Sequence, residues 1–329
     1  LGVSTDLWND IPYTEAFQGD ANLTPAFNTQ QEIYATIQQL LTDAIANLQI
    51  VGNYEAIDGD MMYGGDLASW VKAAYALKAR YALHLSKIQP QTAYADALAA
   101  LPNGFASNDE DLTFVFGTAD ADANPLWQFM NERGDISMNS YFIDMLLLRQ
   151  DPRITVYAYP DAAGGYSGNG PGGTNADASA PGPAVASKNS PVPFISYAEC
   201  LFIKAECEFV TQAPMAQVKQ TLVDGLTASL NSRGVFSQEY ITGYQAMFLD
   251  TVVTPGVLFN EIMTQKYIAL YYQAEPYNDW RRTGLPLITP NVPSLEIPRR
   301  YPYPTEEISY NPNTPAYGNI WNRVWWDTP

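Results

Sequence analysis

Two pairs of adjacent arginines near the C-terminus are the groups in this sequence with the most distinctive chemistry. Arg281 and Arg282 follow Trp280, and Arg299 and Arg300 follow a proline. Neighbouring guanidinium groups repel each other unless carboxylates or carbonyl oxygens accept their N–H donors. We expect all five residues to be structural and to tie the C-terminal segment to the preceding helices; a ligand-binding arginine pair is the alternative.

Catalytic groups give a weak signal in this chain. Its single histidine, His84, leaves little room for a histidine-based triad or metal site, and we expect it on a helix surface. The sequence contains no P-loop, G-x-S-x-G, H-E-x-x-H or dinucleotide-binding motif. A glycoside hydrolase needs two carboxylates about 5–9.5 Å apart, but among 35 acidic residues a pair such as Asp109 and Asp111 has no specificity. We therefore expect a protein without catalytic activity or cofactor, with a glycoside hydrolase as the competing class.

Asp120, Asp122 and Asn124 stand where a calcium loop of the EF-hand type could begin. Pro125 replaces the invariant glycine of such a loop, and Asn131 replaces its bidentate glutamate. We therefore expect an acidic turn and no metal site.

The two cysteines, Cys200 and Cys207, fall within one predicted helix. Seven residues of helix separate them by about 10 Å along the axis, which is too far for a disulfide. We expect both to be reduced residues of the core.

The charge of the chain limits its partners. The formal net charge is −18, from 17 basic and 35 acidic residues. Such a surface repels phosphate backbones, so nucleic acid is a poor partner, and it offers no basic patch to anionic lipid. The sequence contains no run of 18 apolar residues that could span a membrane, and no signal peptide.

Hydrophobic periodicity predicts a mostly α fold. A capping box at 29–32 begins a helix over about 30–48, and a long helix follows residue 66. The segment 196–230 has the length and pattern of one TPR-like helix pair. Further helices are predicted near 91–101, 139–149, 238–250 and 257–274, the last ending before Pro276.

The remaining segments lack such a period. A short β-like run is predicted at 112–116, and the chain after Pro286 is Pro-rich and irregular. Residues 157–194 form a long Gly/Pro-rich loop insertion, either functional or disordered. The expected fold is a single domain over 1–329, built of TPR-like helix pairs with long irregular loops and little β structure.

Six motifs occur in one order along almost the whole chain. They are IPYTEA at 11–16, YGGD followed by W-x-K at 63–72, DPR at 151–153, SYAE at 196–199, WRRTG at 280–284 and IPRR at 297–300. Together they resemble the SusD/RagB-like family of outer-membrane nutrient-binding lipoproteins, also known as SusD homologs.

The resemblance implies an α-α superhelix that binds a nutrient at the cell surface without turnover. It implies a glycan, most often an oligosaccharide, as ligand and a TonB-dependent SusC-like transporter as partner; a peptide-binding, RagB-like role is the alternative. Family members carry a lipidated cysteine and further helices before the IPYTEA element. The resemblance therefore implies that an N-terminal part, with the lipid anchor, is absent from this sequence.

Aromatic residues are the candidates for ligand contact. The chain has 22 tyrosines and 7 tryptophans, and flat amphipathic rings suit sugar or protein contact as well as an aromatic-rich core. Aromatics in Gly/Pro-rich segments have no period that would bury them, and in the resembling family ligands meet an arc of loop aromatics between the IPYTEA and SYAE elements. The expected ligand-binding residues are Trp127, Tyr157, Tyr159 and Tyr166, with Tyr63 and Trp8 as outer candidates.

Overall fold

The described part of the chain contains fourteen α-helices and four short strands in the computed structural model. That part comprises residues 1–50, 52, 59–170, 172–250, 254–290, 296–316 and 319–329. The helices are α1 (Gly2–Trp8), α2 (Gln30–Leu48), α3 (Leu67–His84), α4 (Pro90–Ala100), α5 (Pro125–Arg133), α6 (Ser140–Leu148), α7 (Ile154–Tyr157), α8 (Pro183–Ala186), α9 (Tyr197–Val210), α10 (Met215–Ser232), α11 (Gln238–Phe248), α12 (Pro255–Ala269), α13 (Glu275–Thr283) and α14 (Thr305–Tyr310). The strands are β1 (Ile11–Pro12), β2 (Phe27–Asn28), β3 (Leu112–Phe114) and β4 (Val192–Ile195).

The architecture is mostly α and TPR-like, as expected. Helices α2, α3 and α4 pack in succession, and α9 packs against both α10 and α12. The core between α9 and α10 is closed by Phe202, Leu222 and Leu226, which are fully buried. The predicted helix pair over 196–230 therefore corresponds to α9 and α10.

Side-chain caps begin helices α2 and α9. Thr29 accepts a hydrogen bond from the Glu32 amide, and Glu32 accepts one from the Thr29 amide, so the full capping box is formed. Ser196 likewise caps α9 through the Glu199 amide. The Glu199 carboxylate, however, accepts two hydrogen bonds of 2.6 Å from Arg80 on α3. A full capping box at 196–199 would need the Glu199 carboxylate to accept from the Ser196 amide. The buried guanidinium of Arg80 takes that carboxylate, so the box is only half formed.

One helix boundary was predicted wrongly. The pattern predicted a single helix over 257–274, but α12 ends at Ala269 and a further helix, α13, begins at Glu275. Pro276 occupies the first turn of α13, where proline is tolerated because its missing N–H would have no partner inside the helix. The proline therefore marks the start of a helix, and α13 carries Trp280 and the first arginine pair.

Two antiparallel strand pairs join distant segments. Strand β1 pairs with β2, and β3 pairs with β4, with Leu112 opposite Ile195. The second pair brings the residues before α5 next to the residues that lead into α9. The pair therefore joins the two ends of the segment between β3 and β4, and it forms part of the walls of the cleft described below.

The Gly/Pro-rich loop insertion folds back on the helices before it. The Gly182 amide donates to Tyr157 O at 2.7 Å, and the Tyr159 amide donates to Ala180 O at 2.9 Å. Gly168 lies against the start of α6, where an added Cβ would come within 2.4 Å of the Ser140 amide nitrogen. In contrast to the sequence expectation, the insertion contains one short helix, α8, and runs into β4.

Candidate functional site

The first arginine pair lies inside the protein. Arg282 forms ion pairs with Glu206 and with Asp279, the latter at 2.8 Å. Arg281 donates to the carbonyl oxygens of Asp6 at 2.7 Å and Arg299 at 2.8 Å. These contacts link α13 to α9, to α1 and to the C-terminal segment.

The second pair completes the same link. Arg299 pairs with Asp327 at 3.0 Å and lies 4.4 Å from the centre of the Trp280 ring. Arg300 is buried, with its guanidinium 4.9 Å from the centre of the Tyr303 ring. Within the described part of the chain, these contacts support the expectation that the five residues are structural, which stays a prediction.

His84 is a core residue and not the helix-surface residue that was expected. Its ring is buried, with Nδ1 2.8 Å from the Tyr34 hydroxyl and Nε2 2.8 Å from Glu275. Burial by itself would lower the pKa of His84, but the carboxylates of Glu275 and Asp6 raise it to about 9. The imidazole is therefore a cation at neutral pH, held between two carboxylates.

Asp6, His84 and Glu275 form the one group of acidic and histidine side chains, among the described residues, with enough converging atoms for a metal. Their donors and acceptors are already engaged, since Trp326 donates to Asp6 at 3.0 Å and Asn278 donates to Glu275 at 3.1 Å. The group is better described as a buried ion network that joins α1, α3, α13 and the C-terminus.

A polar cleft of about 460 Å³ opens where β3, β4, α9, α10 and α12 meet. Its walls come from four separate stretches, at 108–113, 191–198, 229–233 and 269–273. The volume lies within the roughly 300–1,000 Å³ of typical small-ligand sites. Its polar wall residues are Asn108, Asp109, Asp111, Thr113, Ser196, Ser229, Asn231, Ser232, Arg233 and Gln273.

Asp111 is the titratable group in the cleft with the most altered environment. Burial raises the pKa of its carboxyl to about 7, against the opposing effects of the Tyr197 amide and of Arg233. The Tyr197 amide donates to Asp111 at 2.6 Å. Near neutral pH this carboxyl can donate or accept a hydrogen bond, and Asp109 beside it is exposed to solvent.

An exposed tyrosine borders the cleft and was missed in the sequence. Tyr272 lines a small cavity that shares Pro191, Pro193, Arg233 and Gln273 with the cleft. Its side chain is 56% exposed, and its φ of 67° is uncommon for a bulky residue. The sequence did indicate that one of these tyrosines is exposed, because Tyr271 and Tyr272 are adjacent and one buried stripe of a helix cannot include both.

Three of the expected ligand-binding aromatics are accessible. Trp127 is half-buried on α5, and Lys188 lies over its ring at 4.7 Å. Its helix is capped by Asn124, which also lines the small cavity beside Tyr272. Tyr159 is 44% exposed, and Tyr166 is half-buried against the core under α6 and α7.

Tyr157 has no accessible ring face, so it cannot stack on a ligand. It is fully buried, with its ring packed against Phe142 and Tyr271. The sequence did not indicate this burial, because α7 is a single short turn and shows no helical pattern of apolar residues. Tyr157 is therefore removed from the candidate site.

The two outer candidates differ in position, since the Tyr63 phenol lies near Asp111 of the cleft and Trp8 lies elsewhere. Tyr63 is half-buried, packs edge-to-face on Trp70 at 5.2 Å and donates to Glu110 O at 2.8 Å. Trp8 donates to Pro302 O at 2.9 Å and packs edge-on against Tyr301. The structure therefore does not bring Trp8 together with the loop aromatics through any contact of the described residues.

The remaining expectations concern single segments. Residues 120–122 form one acidic 3₁₀ turn, in which Asp120 pairs with Lys188 at 2.6 Å. Cys200 and Cys207 are free and buried, as expected. None of the helices in the described part combines the length and apolar composition needed to cross a bilayer.

Comparison with known structures confirms the expected fold. A solved structure named as a chitin-binding protein is 26% identical, with a TM-score of 0.85 over 99% of this chain and 78% of the other. A chitin-binding SusD homolog from Flavobacterium johnsoniae is 25% identical, with a TM-score of 0.83 over 99% and 78% of the two chains. A SusD homolog from Bacteroides uniformis shares the fold at 23% identity, with a TM-score of 0.85 over 100% and 79%.

The family assignment rests on a match over most of the sequence. No curated protein matches the chain significantly. The family model SusD-like_2, described as "Starch-binding associating with outer membrane", matches residues 1–304. Together with the fold, this match shows that the chain belongs to the SusD-like family.

Proposed function

We propose that this protein binds a glycan at the cell surface, without turnover, and delivers it to a TonB-dependent SusC-like transporter. The observation that carries the proposal is the polar cleft with Tyr272 at its border. Amide, hydroxyl, carboxylate and guanidinium groups match the many hydroxyl groups of a pyranose, and an exposed ring offers an apolar face of the sugar a place to stack.

The accessible loop aromatics extend the proposed surface. Trp127, Tyr159 and Tyr166 would contact successive rings of an oligosaccharide, and Tyr63 remains an outer candidate. The structures named as chitin-binding support a glycan as ligand. We also propose that the protein is a surface-exposed lipoprotein of the outer membrane, which the description of the family model supports.

A second cavity, of about 480 Å³, is less suited to a sugar than the polar cleft is. It lies against α2, α3 and α4, and alanines form much of its wall, including Ala82, Ala93 and Ala100. It offers fewer polar groups to a sugar than the cleft does.

Two alternatives to glycan binding without turnover can be tested on the same purified protein. Asp111 is the observation that favours a glycoside hydrolase, because a carboxyl with a pKa near 7 is what a general acid requires. A peptide ligand is the alternative within the resemblance. Calorimetric titration with chito- and malto-oligosaccharides and with short peptides, and an assay for released reducing ends, separate the three.

The expected result is heat of binding for at least one oligosaccharide class and no release of reducing ends. Tyr272→Ala should weaken that binding, whereas Tyr310→Ala should not, since Tyr310 is also exposed but lies on α14. Binding of peptides alone would contradict the proposal, and so would sustained release of reducing ends that Asp111→Asn abolishes.

A further inference from the structure

Arg233, at the end of α10, is unusual among the ten arginines of this sequence. The other nine each have a hydrogen bond or an ion pair to another protein group, such as Arg153 with Asp151 or Arg149 with Glu261. For Arg233 the described residues supply neither, and its Nε atom is buried without an acceptor. The side chain lines both the polar cleft and the small cavity beside Tyr272.

The surroundings of Arg233 orient its guanidinium without using its donors. The ring centre of Tyr157 lies 5.5 Å from its central carbon, close enough for a cation–π contact. Such a contact involves the face of the guanidinium and leaves the five N–H groups in its plane available. No salt bridge joins Arg233 to Asp111, although the two line the same cleft.

The other groups in the cleft indicate what Arg233 would hold. Asn108 Oδ1 is a buried acceptor without a partner, and Asp109, Asn231 and Gln273 add further acceptors and donors. A guanidinium with unused donors matches a planar carboxylate, which it can bind through two parallel hydrogen bonds. The surrounding amides and carboxyls match hydroxyl groups.

We propose that the cleft binds a hexuronate, a sugar residue that carries a carboxylate, and that Arg233 holds this carboxylate. The proposal rests on the glycan binding proposed above and narrows it to acidic sugars. Asn231, Gln273 and Asp109 then take hydroxyl groups of the same ring. Peptide carboxylates share this chemistry, but the cleft offers polar walls where a peptide would need apolar pockets for its side chains.

The acidic groups of the protein oppose this ligand less than the net charge suggests. Repulsion from distant carboxylates is screened over about 8 Å at physiological ionic strength. Within the cleft, the raised pKa of Asp111 leaves part of that carboxyl protonated near neutral pH, where it can donate to a ligand oxygen. The charged groups around Asp111 are Asp109, Glu199 and Arg233, and the phenol of Tyr63 faces it as well.

The test compares an oligogalacturonide with its methyl ester, which has the same rings and no carboxylate charge. Calorimetry at pH 6 should show that the intact protein binds the acid roughly tenfold or more tightly, since a hydrogen-bonded charge pair is lost in the ester. Arg233→Gln should remove this preference and leave the affinity for the ester within about twofold. Arg323→Gln changes the net charge equally, but in the C-terminal segment where Arg323 pairs with Asp327, and it should keep the preference.

A second readout guards against loss of folding in the Arg233 variant. In the intact protein, affinity for the acid should fall between pH 6 and pH 8 as Asp111 loses its proton, whereas affinity for the ester should change little. Both the preference and this pH dependence should appear together.

Equal affinity of the intact protein for acid and ester would overturn the inference while leaving glycan binding in place. So would a preference that survives Arg233→Gln, or Arg233-dependent binding of a peptide carboxylate with none of the uronate. A failure of every oligosaccharide, neutral or acidic, to bind would instead overturn the proposed function.

Discussion

His84 Nε2 donates to Glu275 Oε2 at 2.8 Å across 191 residues of sequence, and this contact joins α3 to α13 inside the protein. On the other side of the ring, Nδ1 donates to the Tyr34 hydroxyl, which in turn donates to Asp6. The chain of contacts links the N-terminal helix, two helices of the body and the helix of the first arginine pair. A single charged imidazole therefore holds together elements that the sequence places far apart.

We expect this contact to make the stability of the folded protein fall as the pH rises into the alkaline range. The pKa of His84 is about 9 in the folded protein and about 6.5 in the unfolded chain. Below pH 6.5 both states are protonated and the full stabilisation is present; it falls as the pH rises toward 9, because the unfolded chain has then lost a proton that the folded protein keeps. The total change is on the order of 3 kcal/mol.

The measurement is urea unfolding of the intact protein and His84→Gln at pH 6 and pH 9.5. His84→Gln should be less stable than the intact protein at pH 6. Its free energy of unfolding should also change much less between pH 6 and pH 9.5 than that of the intact protein. His84 is the single histidine in the sequence. Asp111, with a pKa of about 7, also titrates in this range, but it is present in both proteins, so the difference between them isolates the imidazole. An unchanged pH dependence in the variant would show that the imidazole is not the group responsible.

Replacing Arg282 should destabilise the protein strongly. Arg282→Gln leaves Glu206 buried without its partner and weakens the Lys266–Asp279–Arg282 group. Removing one partner of a buried ion pair costs about 3–5 kcal/mol, because the other charge stays desolvated. Urea unfolding measures the effect, and Arg133→Gln is the control.

Arg133 is 62% exposed at the side chain and pairs with Asp135 at the surface. Its replacement should change the unfolding free energy by no more than about 1 kcal/mol. Similar small losses in both variants would contradict a structural role for the first arginine pair.

Gly168 should be required for docking of the long loop insertion. A Cβ at this position would come within 2.4 Å of the Ser140 nitrogen and 2.5 Å of the Asn139 carbonyl carbon, so Gly168→Ala has to move backbone. We expect a loss of about 1–3 kcal/mol in unfolding free energy. Limited proteolysis should also show faster cleavage within 159–181.

Gly243→Ala is the matched control for Gly168→Ala. Gly243 lies in α11 with open space where its Cβ would stand, and alanine favours a helix over glycine by about 1 kcal/mol. This variant should be neutral or slightly more stable. If Gly168→Ala behaved like the control, the insertion would not be docked as the structure describes.

Trp127 should contribute to glycan binding if the loop aromatics form part of the site. Trp127→Ala is expected to weaken binding by on the order of 1–3 kcal/mol, the effect of losing one aromatic contact and its buried area. The measurement is calorimetric titration with an oligosaccharide that the intact protein binds. Phe129→Ala, on the same helix and 41% exposed, is the control and should leave affinity unchanged.

The double variant Trp127→Ala, Tyr159→Ala tests the placement of this surface. Both side chains are accessible, so the variant should fold and bind more weakly than either single change. Unchanged affinity in a folded double variant would show that the ligand surface lies elsewhere.

Local sequence signals determined most of the helices. The capping box at 29–32 starts α2 where expected, and the pattern over 196–230 predicted the helix pair formed by α9 and α10. These signals work because caps and helical stripes involve residues within one or two turns of each other. The ordered motifs also pointed to the family that the structure and the family match confirm.

Tertiary contacts decided the environment of each group that could do chemistry. Nothing near His84 in the sequence shows that Glu275 will accept its hydrogen bond, and nothing near Tyr157 shows that Phe142 and Tyr271 will bury it. The polar cleft is assembled from four stretches that lie far apart in the chain, so Asp111 and Arg233 share a cavity only after folding. Burial and electrostatic surroundings depend on such distant neighbours, whereas periodicity records only the local ones.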